Sequence, residues 1–187
     1  MRTKIKFNSP AILGFTFICL IAFGLNWITG GHTNNIIFST YNASMSSFMT
    51  YVRLLGHVFG HVNLDHLVGN LMLILLIGPL LEEKYGTQTM VAIILVTAII
   101  TGLCNNFLFP NVQLLGASGV VFAFILLSSF TNSSNDGKVP LTFVLVATLY
   151  LSTEIYEAFF VVNNVSNFTH ILGGVIGAIS GYMINRS

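Results

Sequence analysis

The feature that most constrains this chain is an uninterrupted apolar run, PAILGFTFICLIAFGLNWITG, residues 10 to 30, which follows Arg2, Lys4 and Lys6 and contains no charged residue. About 20 apolar residues are what a helix needs to cross a hydrocarbon core about 30 Å thick. Further apolar segments lie at roughly 62 to 82, 88 to 108, 117 to 131, 139 to 160 and 167 to 185, so the pattern predicts six spans. A water-exposed fold is excluded by composition: 54% hydrophobic and 7% charged residues, with a mean hydropathy of +0.82, leave too little polar surface to cover one. The expected class is an all-α polytopic membrane protein, one domain over residues 1–187 with a short basic cytoplasmic N-terminus at 1–9. No small-x-small cleavage signal follows the first run, which is read as an uncleaved helix.

Polar or turn-rich stretches separate the runs: GGHTNN, EEKYGTQ, FPNVQ, TNSSNDGK and VVNNVSN. Only the first connection, about 31 to 61, is long, and its apolar character predicts short helices in the outer interface. Arg2, Lys4, Lys6, Lys84, Lys138 and Arg186 fall on one side of the alternation and Arg53 alone on the other. Basic residues concentrate in cytoplasmic loops, which places both termini inside. The short, tail-free plan points to a bacterial cell membrane. A net charge of +1 without a basic tract argues against a nucleic-acid partner. Cys19 and Cys104 lie in apolar runs with no CxxC or Cys/His spacing, and read as packing residues.

Charged or strongly polar groups inside a bilayer are expensive, so those within the spans narrow the function. The second span carries HLVGN, which sets His66 and Asn70 four residues apart on one helix face. The fourth opens on GASG with Ser118, and the sixth opens on NFTHILGG with His170. Counted from the cytoplasmic ends at about 1.5 Å per residue, Asn70, Ser118 and His170 lie about 18, 20 and 22 Å up their helices, with His66 one turn above Asn70. Asn70, Ser118 and His170 thus fall roughly 10 Å below the outer surface, with His66 nearer to it.

A serine hydroxyl and an imidazole at one depth suit acyl transfer: His170 takes the proton of Ser118, a nucleophile too weak without a base. The Ser118 N–H, the Asn70 amide and the His66 ring can receive the oxyanion. Gly116 and Gly119 are expected to let the chain turn tightly into the helix and leave the hydroxyl unobstructed. FPNVQLLGA is a poor helix, and irregular backbone at this depth is tolerated only where protein or a water-filled cavity surrounds it. Gly173, Gly177 and Gly181, four apart, form a small-residue stripe suited to close helix approach just below His170.

Plainer readings exist for each residue alone. Ser118 fits a helix cap, His66 with Asn70 an interhelical hydrogen bond, and His170 a satisfied buried histidine. His57, His61 and His66 with Asp65 raise a metal site, but HExxH is absent and Asp65 points about 100° from His66 on a helix. His57 and His61 are expected to brace the first loop. Glu154 and Glu157 share one face of the fifth span, reaching either outer-interface water or the cavity. A channel or transporter lacks support, since paired intramembrane charges and repeats are missing.

These motifs resemble the rhomboid family of intramembrane serine proteases. GASG at 116–119 fits its GxSG box, HLVGN its HxxxN signature, and His170 with Gly173, Gly174 and Gly177 is similar to its last motif. VRLLGHVFGHVNLDHLVGN resembles its approach to the second helix, and GPLLEEKYG its spacing of Gly78, Glu82 and Gly86. The resemblance implies a six-helix bundle in which Ser118 is the nucleophile, His170 the general base, and His66 and Asn70 oxyanion-hole side chains. Gly116, Gly119, Phe122, Gly173 and Gly174 would support the site. It further implies substrates that are membrane-spanning segments of other proteins, cut near the outer face without metal or cofactor. One departure stands out: many members carry Tyr against the histidine ring where this chain has Phe122, which keeps the stacking surface and loses the hydroxyl. That leaves as the alternative a rhomboid-like protein that binds membrane helices without cutting them.

Overall fold

A computed structural model describes residues 7–131, 139–160 and 167–184. The basic residues Arg2, Lys4, Lys6, Lys138 and Arg186 and the side chains of Glu154 and Glu157 lie outside the described residues. The elements are all helical: α1 (Pro10–Ile28), α2 (His32–Ile36), α3 (Phe48–Gly56) running into a 3-10 turn at His57–Phe59, α4 (Leu64–Tyr85), α5 (Thr87–Leu108), α6 (Ser118–Ser128), α7 (Leu141–Phe160) and α8 (Asn167–Ile184). Among the described residues α1, α4 and α5 are long and apolar enough to cross a membrane, and α6 is a shorter apolar helix. Ile21 and Trp27 of α1, Met72 and Leu76 of α4, and Val91 and Leu95 of α5 are exposed, an outward apolar surface suited to lipid tails.

Local chemistry explains the helix limits. Asn63 caps α4 by accepting from the His66 N–H at 2.8 Å. Gly86, at φ 83°, ends α4 and lets α5 start at once. The fourth apolar segment, expected to span 117 to 131, is helical over only 11 residues, Ser118–Ser128. Its C-terminal hydroxyls turn back on the backbone: Ser128 Oγ donates to Ile125 O at 2.7 Å and Thr131 Oγ1 to Ser128 O at 2.7 Å, while Lys84 Nζ donates to the carbonyls of Phe130 and Thr131. These bonds satisfy carbonyls that a continuing helix would have used.

Helix α6 is central, with Val120, Val121, Ala123, Phe124, Leu126 and Leu127 all buried. It packs against α4, α5 and α8. On the far side, Glu82 of α4 is buried and its carboxylate accepts from the N–H groups of Ala11 and Ile12 at 2.9 and 3.0 Å and from Thr87 Oγ1 at 2.7 Å. The first N–H groups of a helix have no partner within it, so one carboxylate fixes the start of α1 against the α4–α5 corner. Gly78 admits this contact, since a Cβ there would meet Ile12 Cδ1 at 2.7 Å.

The long first connection contains short helices, α2 and α3, as its apolar sequence suggests. Arg53 Nε donates to Ile36 O at 3.0 Å and the guanidinium lies 4.6 Å from the centre of the Tyr41 ring, so this cation folds the loop on itself.

Candidate active site

The segment Phe109–Ala117, between α5 and α6, is held as a braced loop. Thr40 and Leu114 exchange backbone hydrogen bonds of 2.9 Å in each direction, and Gly116 N–H donates to His57 O at 2.9 Å. Buried Asn105 reaches from α5 to Val112 O at 3.0 Å and Thr40 O at 3.3 Å. Gln113 Nε2 donates to Asn35 Oδ1 at 2.9 Å and Ser39 Oγ at 2.6 Å. The first loop therefore holds the chain that leads into Ser118. The only sequence trace of the Asn105 brace is that Thr97, Thr101 and Asn105 recur every four residues on one face of an apolar span.

Gly116 has φ 131°, a region only glycine enters without strain. A Cβ there would meet His66 Cε1 at 2.7 Å and Nε2 at 2.9 Å, so the bare backbone is what admits the His66 ring. Gly119 is different: it is helical, and a Cβ would touch the methyls of Thr97, Thr101 and Thr169 at 3.6 Å, an ordinary contact. What crowds there is its backbone, because Gly173 of α8 lies against the Gly119 carbonyl group; a Cβ on Gly173 would be 2.9 Å from Gly119 Cα. One turn further along, a Cβ on Gly177 would be 2.7 Å from Ala123 Cα. Gly174 is buried in the same helix.

This approach sets His170 on Ser118: Nε2 lies 2.9 Å from Oγ. The Phe122 ring lies 4.7 Å from the imidazole, tilted by 44°. His66 is half-buried, and Asn70, one turn along the same face of α4, is buried with its Nδ2 lacking a hydrogen-bond partner among the described residues. A buried amide left without an acceptor costs free energy that an incoming anion can repay.

His57 and His61 are braces. His57 is buried, with Nδ1 3.1 Å from Leu54 O and Nε2 3.3 Å from Thr101 Oγ1, and burial pushes its pKa down to about 4. His61 Nδ1 lies 3.1 Å from Phe59 O and its ring packs edge-on to His66 at 5.1 Å; burial first, and the His66 charge second, push it down to about 4. Asp65 is exposed at the start of α4. Among the described residues no three His, Cys, Asp or Glu side chains converge to hold a metal ion.

The chain matches the Rhomboid domain family model over residues 48–187. It belongs to the rhomboid family. Rhomboid-related protein 1 of Caenorhabditis elegans is 29% identical over 140 residues, covering 71% of this chain and 39% of that protein. Rhomboid protease GlpG of Yersinia pseudotuberculosis serotype I (strain IP32953) is 24% identical over 182 residues, covering 95% of this chain and 64% of that protein, and GlpG of Yersinia pestis matches at the same 24% and coverage. This rhomboid chain thus spans from 39% to 64% of the length of these curated relatives. Family membership together with the apolar helices makes it an integral membrane protein. The family match begins at the start of α3, so α1 and α2 precede it.

Proposed function

We propose that this chain is an intramembrane serine endopeptidase that cuts membrane-spanning segments of other proteins, using Ser118 as nucleophile and His170 as general base. The observation that carries the reading is the 2.9 Å contact between His170 Nε2 and Ser118 Oγ. That separation is within reach for direct proton transfer. As Oγ attacks the scissile carbonyl carbon, its proton passes to Nε2 and the carbonyl oxygen becomes an oxyanion. Ser118 is the first residue of α6, so its N–H has no partner within the helix and lies in the positive field of the helix dipole. That N–H, the unpaired Asn70 amide and the His66 ring supply the donors. Collapse of the intermediate expels the amine, which takes the proton from His170, and water then releases the acyl group from Ser118 with His170 again as base. No metal or cofactor enters these steps.

In this reading the domain comprises six spans, with α1, α4, α5, α6, α7 and α8 crossing, both termini cytoplasmic, and the site opening toward the outer side of a bacterial cell membrane. The bias of basic residues in the sequence supports that orientation.

A fluorophosphonate probe on purified protein tests the nucleophile: wild type should label and Ser118→Ala should not. A model transmembrane substrate should be cut by wild type and spared by Ser118→Ala and His170→Ala, and a chelator should change nothing. Cleavage by either variant at the wild-type rate would reject the pair. Folded wild-type protein that binds a membrane helix and never cuts it establishes the alternative, a helix-binding rhomboid.

A further inference from the structure

His170 sits in the first turn of α8, the fourth residue from its start. First-turn N–H groups lack partners inside the helix, and helix ends open most readily, so tertiary contacts must fix the ring. Two close approaches come from α6, the helix that carries Ser118: Phe122 packs on the imidazole, and the Gly119 carbonyl group lies against Gly173, three residues on from His170. A third comes from elsewhere. The Phe168 ring, two residues before His170, meets the Phe109 ring at 5.3 Å and 51°, a favoured tilted geometry.

Phe109 is a firm anchor. It closes α5 with its N–H donating to Asn105 O at 3.1 Å, and its carbonyl accepts from Val112 N–H at 3.0 Å. Asn105, 1% exposed, spans the same turn through Val112 O. From Phe109 the chain runs directly through the braced loop to Ser118. The ring pair therefore ties the turn bearing His170 to the opposite end of the segment that delivers the nucleophile.

We infer that Phe109 and Phe168 are positioning residues that hold His170 at hydrogen-bond distance from Ser118. The inference rests on the serine-histidine reading above. The clasp adds a hold from the end of α5 to the first turn of α8, beside its packing on α6. Without it, the turn is less firmly fixed and the imidazole moves more freely relative to Oγ.

The test uses the purified full chain and the fluorophosphonate probe, reading both the rate constant of Ser118 labelling against pH and the fraction of protein finally labelled. Phe109→Ala and Phe168→Ala should each lower the rate constant about 3- to 10-fold, the factor such a ring pair supplies. The labelled fraction should stay at the wild-type level, and the pH midpoint of labelling should move. Phe168→Tyr, which keeps the ring, should remain within about twofold of wild type. The double variant should lose no more than either single one, because both remove the same contact. Should Phe168→Ala fail to fold, Phe168→Leu keeps apolar volume without the ring and carries the same comparison. An unchanged rate constant with a reduced labelled fraction means that the pair serves folding only, and overturns the inference; so do additive losses. Wild type that labels while the variants match it refutes the clasp alone, whereas folded wild type that never labels rejects the nucleophile and the clasp with it.

Discussion

Gly177→Ala puts the helix seam to a quantitative test. The new Cβ would lie 2.7 Å from Ala123 Cα and from its carbonyl carbon, and nearer still to the carbonyl oxygen. Carbon atoms in good contact sit about 3.5 to 4 Å apart, so α8 must retreat from α6 by about 1 Å. All three atoms in the way are backbone, and no rotamer change relieves the clash. His170 lies seven residues along the same helix, about 10 Å away at about 1.5 Å per residue, and a rigid helix carries it with the displacement. Added to the 2.9 Å between Nε2 and Oγ, that shift takes the pair beyond hydrogen-bond range. Misplacement of a reacting group by about 1 Å costs on the order of 100-fold in rate. Overpacking should also remove about 1–3 kcal/mol of stability. The assay is the rate of Ser118 labelling by fluorophosphonate, paired with thermal unfolding in the same detergent. Gly24→Ala serves as control, because its Cβ would meet nothing within 4 Å. If Gly177→Ala folds and labels within threefold of wild type, α8 accommodates the methyl by tilting about its His170 end, and the rigid-seam argument is wrong.

Three further outcomes follow from other parts of the molecule. Asn70→Ala should lower kcat on a transmembrane substrate by about 100- to 1000-fold, as for loss of an oxyanion donor, while leaving the melting temperature nearly unchanged because its Nδ2 bonds nothing among the described residues. Glu82→Gln should lower unfolding free energy by about 1–3 kcal/mol in a denaturant titration, since its amide end turns a donor toward the N–H groups at the start of α1; stability equal to wild type would refute the clamp. Stability should be fully present above about pH 6.5 and decline toward pH 4, since the buried His57 and His61 are neutral in the fold and take up protons readily only when unfolded. His57→Gln should flatten that decline in melting curves taken across the range, and an unaltered slope would count against the assignment.

Much of this arrangement could be read from residue spacing, and the limits of that reading have physical causes. Apolar length marks the long helices because lipid imposes it, and the Gly173 and Gly177 interval signals a close seam because only missing side chains permit one. The fourth segment was expected to be longer than α6 proves to be, since hydropathy does not register hydroxyls that cap a helix by folding back on it. Glu82 appears in the sequence as one more charge at the end of an apolar run, and nothing local says that its two backbone partners lie some 70 residues earlier on α1. The Phe109 and Phe168 contact is equally silent, joining residues that are ordinary lipid-compatible aromatics until the chain brings them together. Asn105 and Gln113 left a fainter trace: amides near the end of an apolar span must find partners, but which loop supplies them depends on how the first connection folds back.

The Glu82 clamp grips α1 by its main chain alone. A carboxylate that accepts from two peptide N–H groups reads no side chain, so the N-terminal end of α1 is recognised as a helix beginning and not as a particular sequence. Side-chain identity matters instead at Ile12, opposite Gly78, and further along α1, where Phe15, Cys19 and Ala22 are buried and the Phe15 ring lies 5.0 Å from that of Phe59. At the clamp itself, the part of the chain that precedes the family match is an interchangeable fitting on a fixed socket.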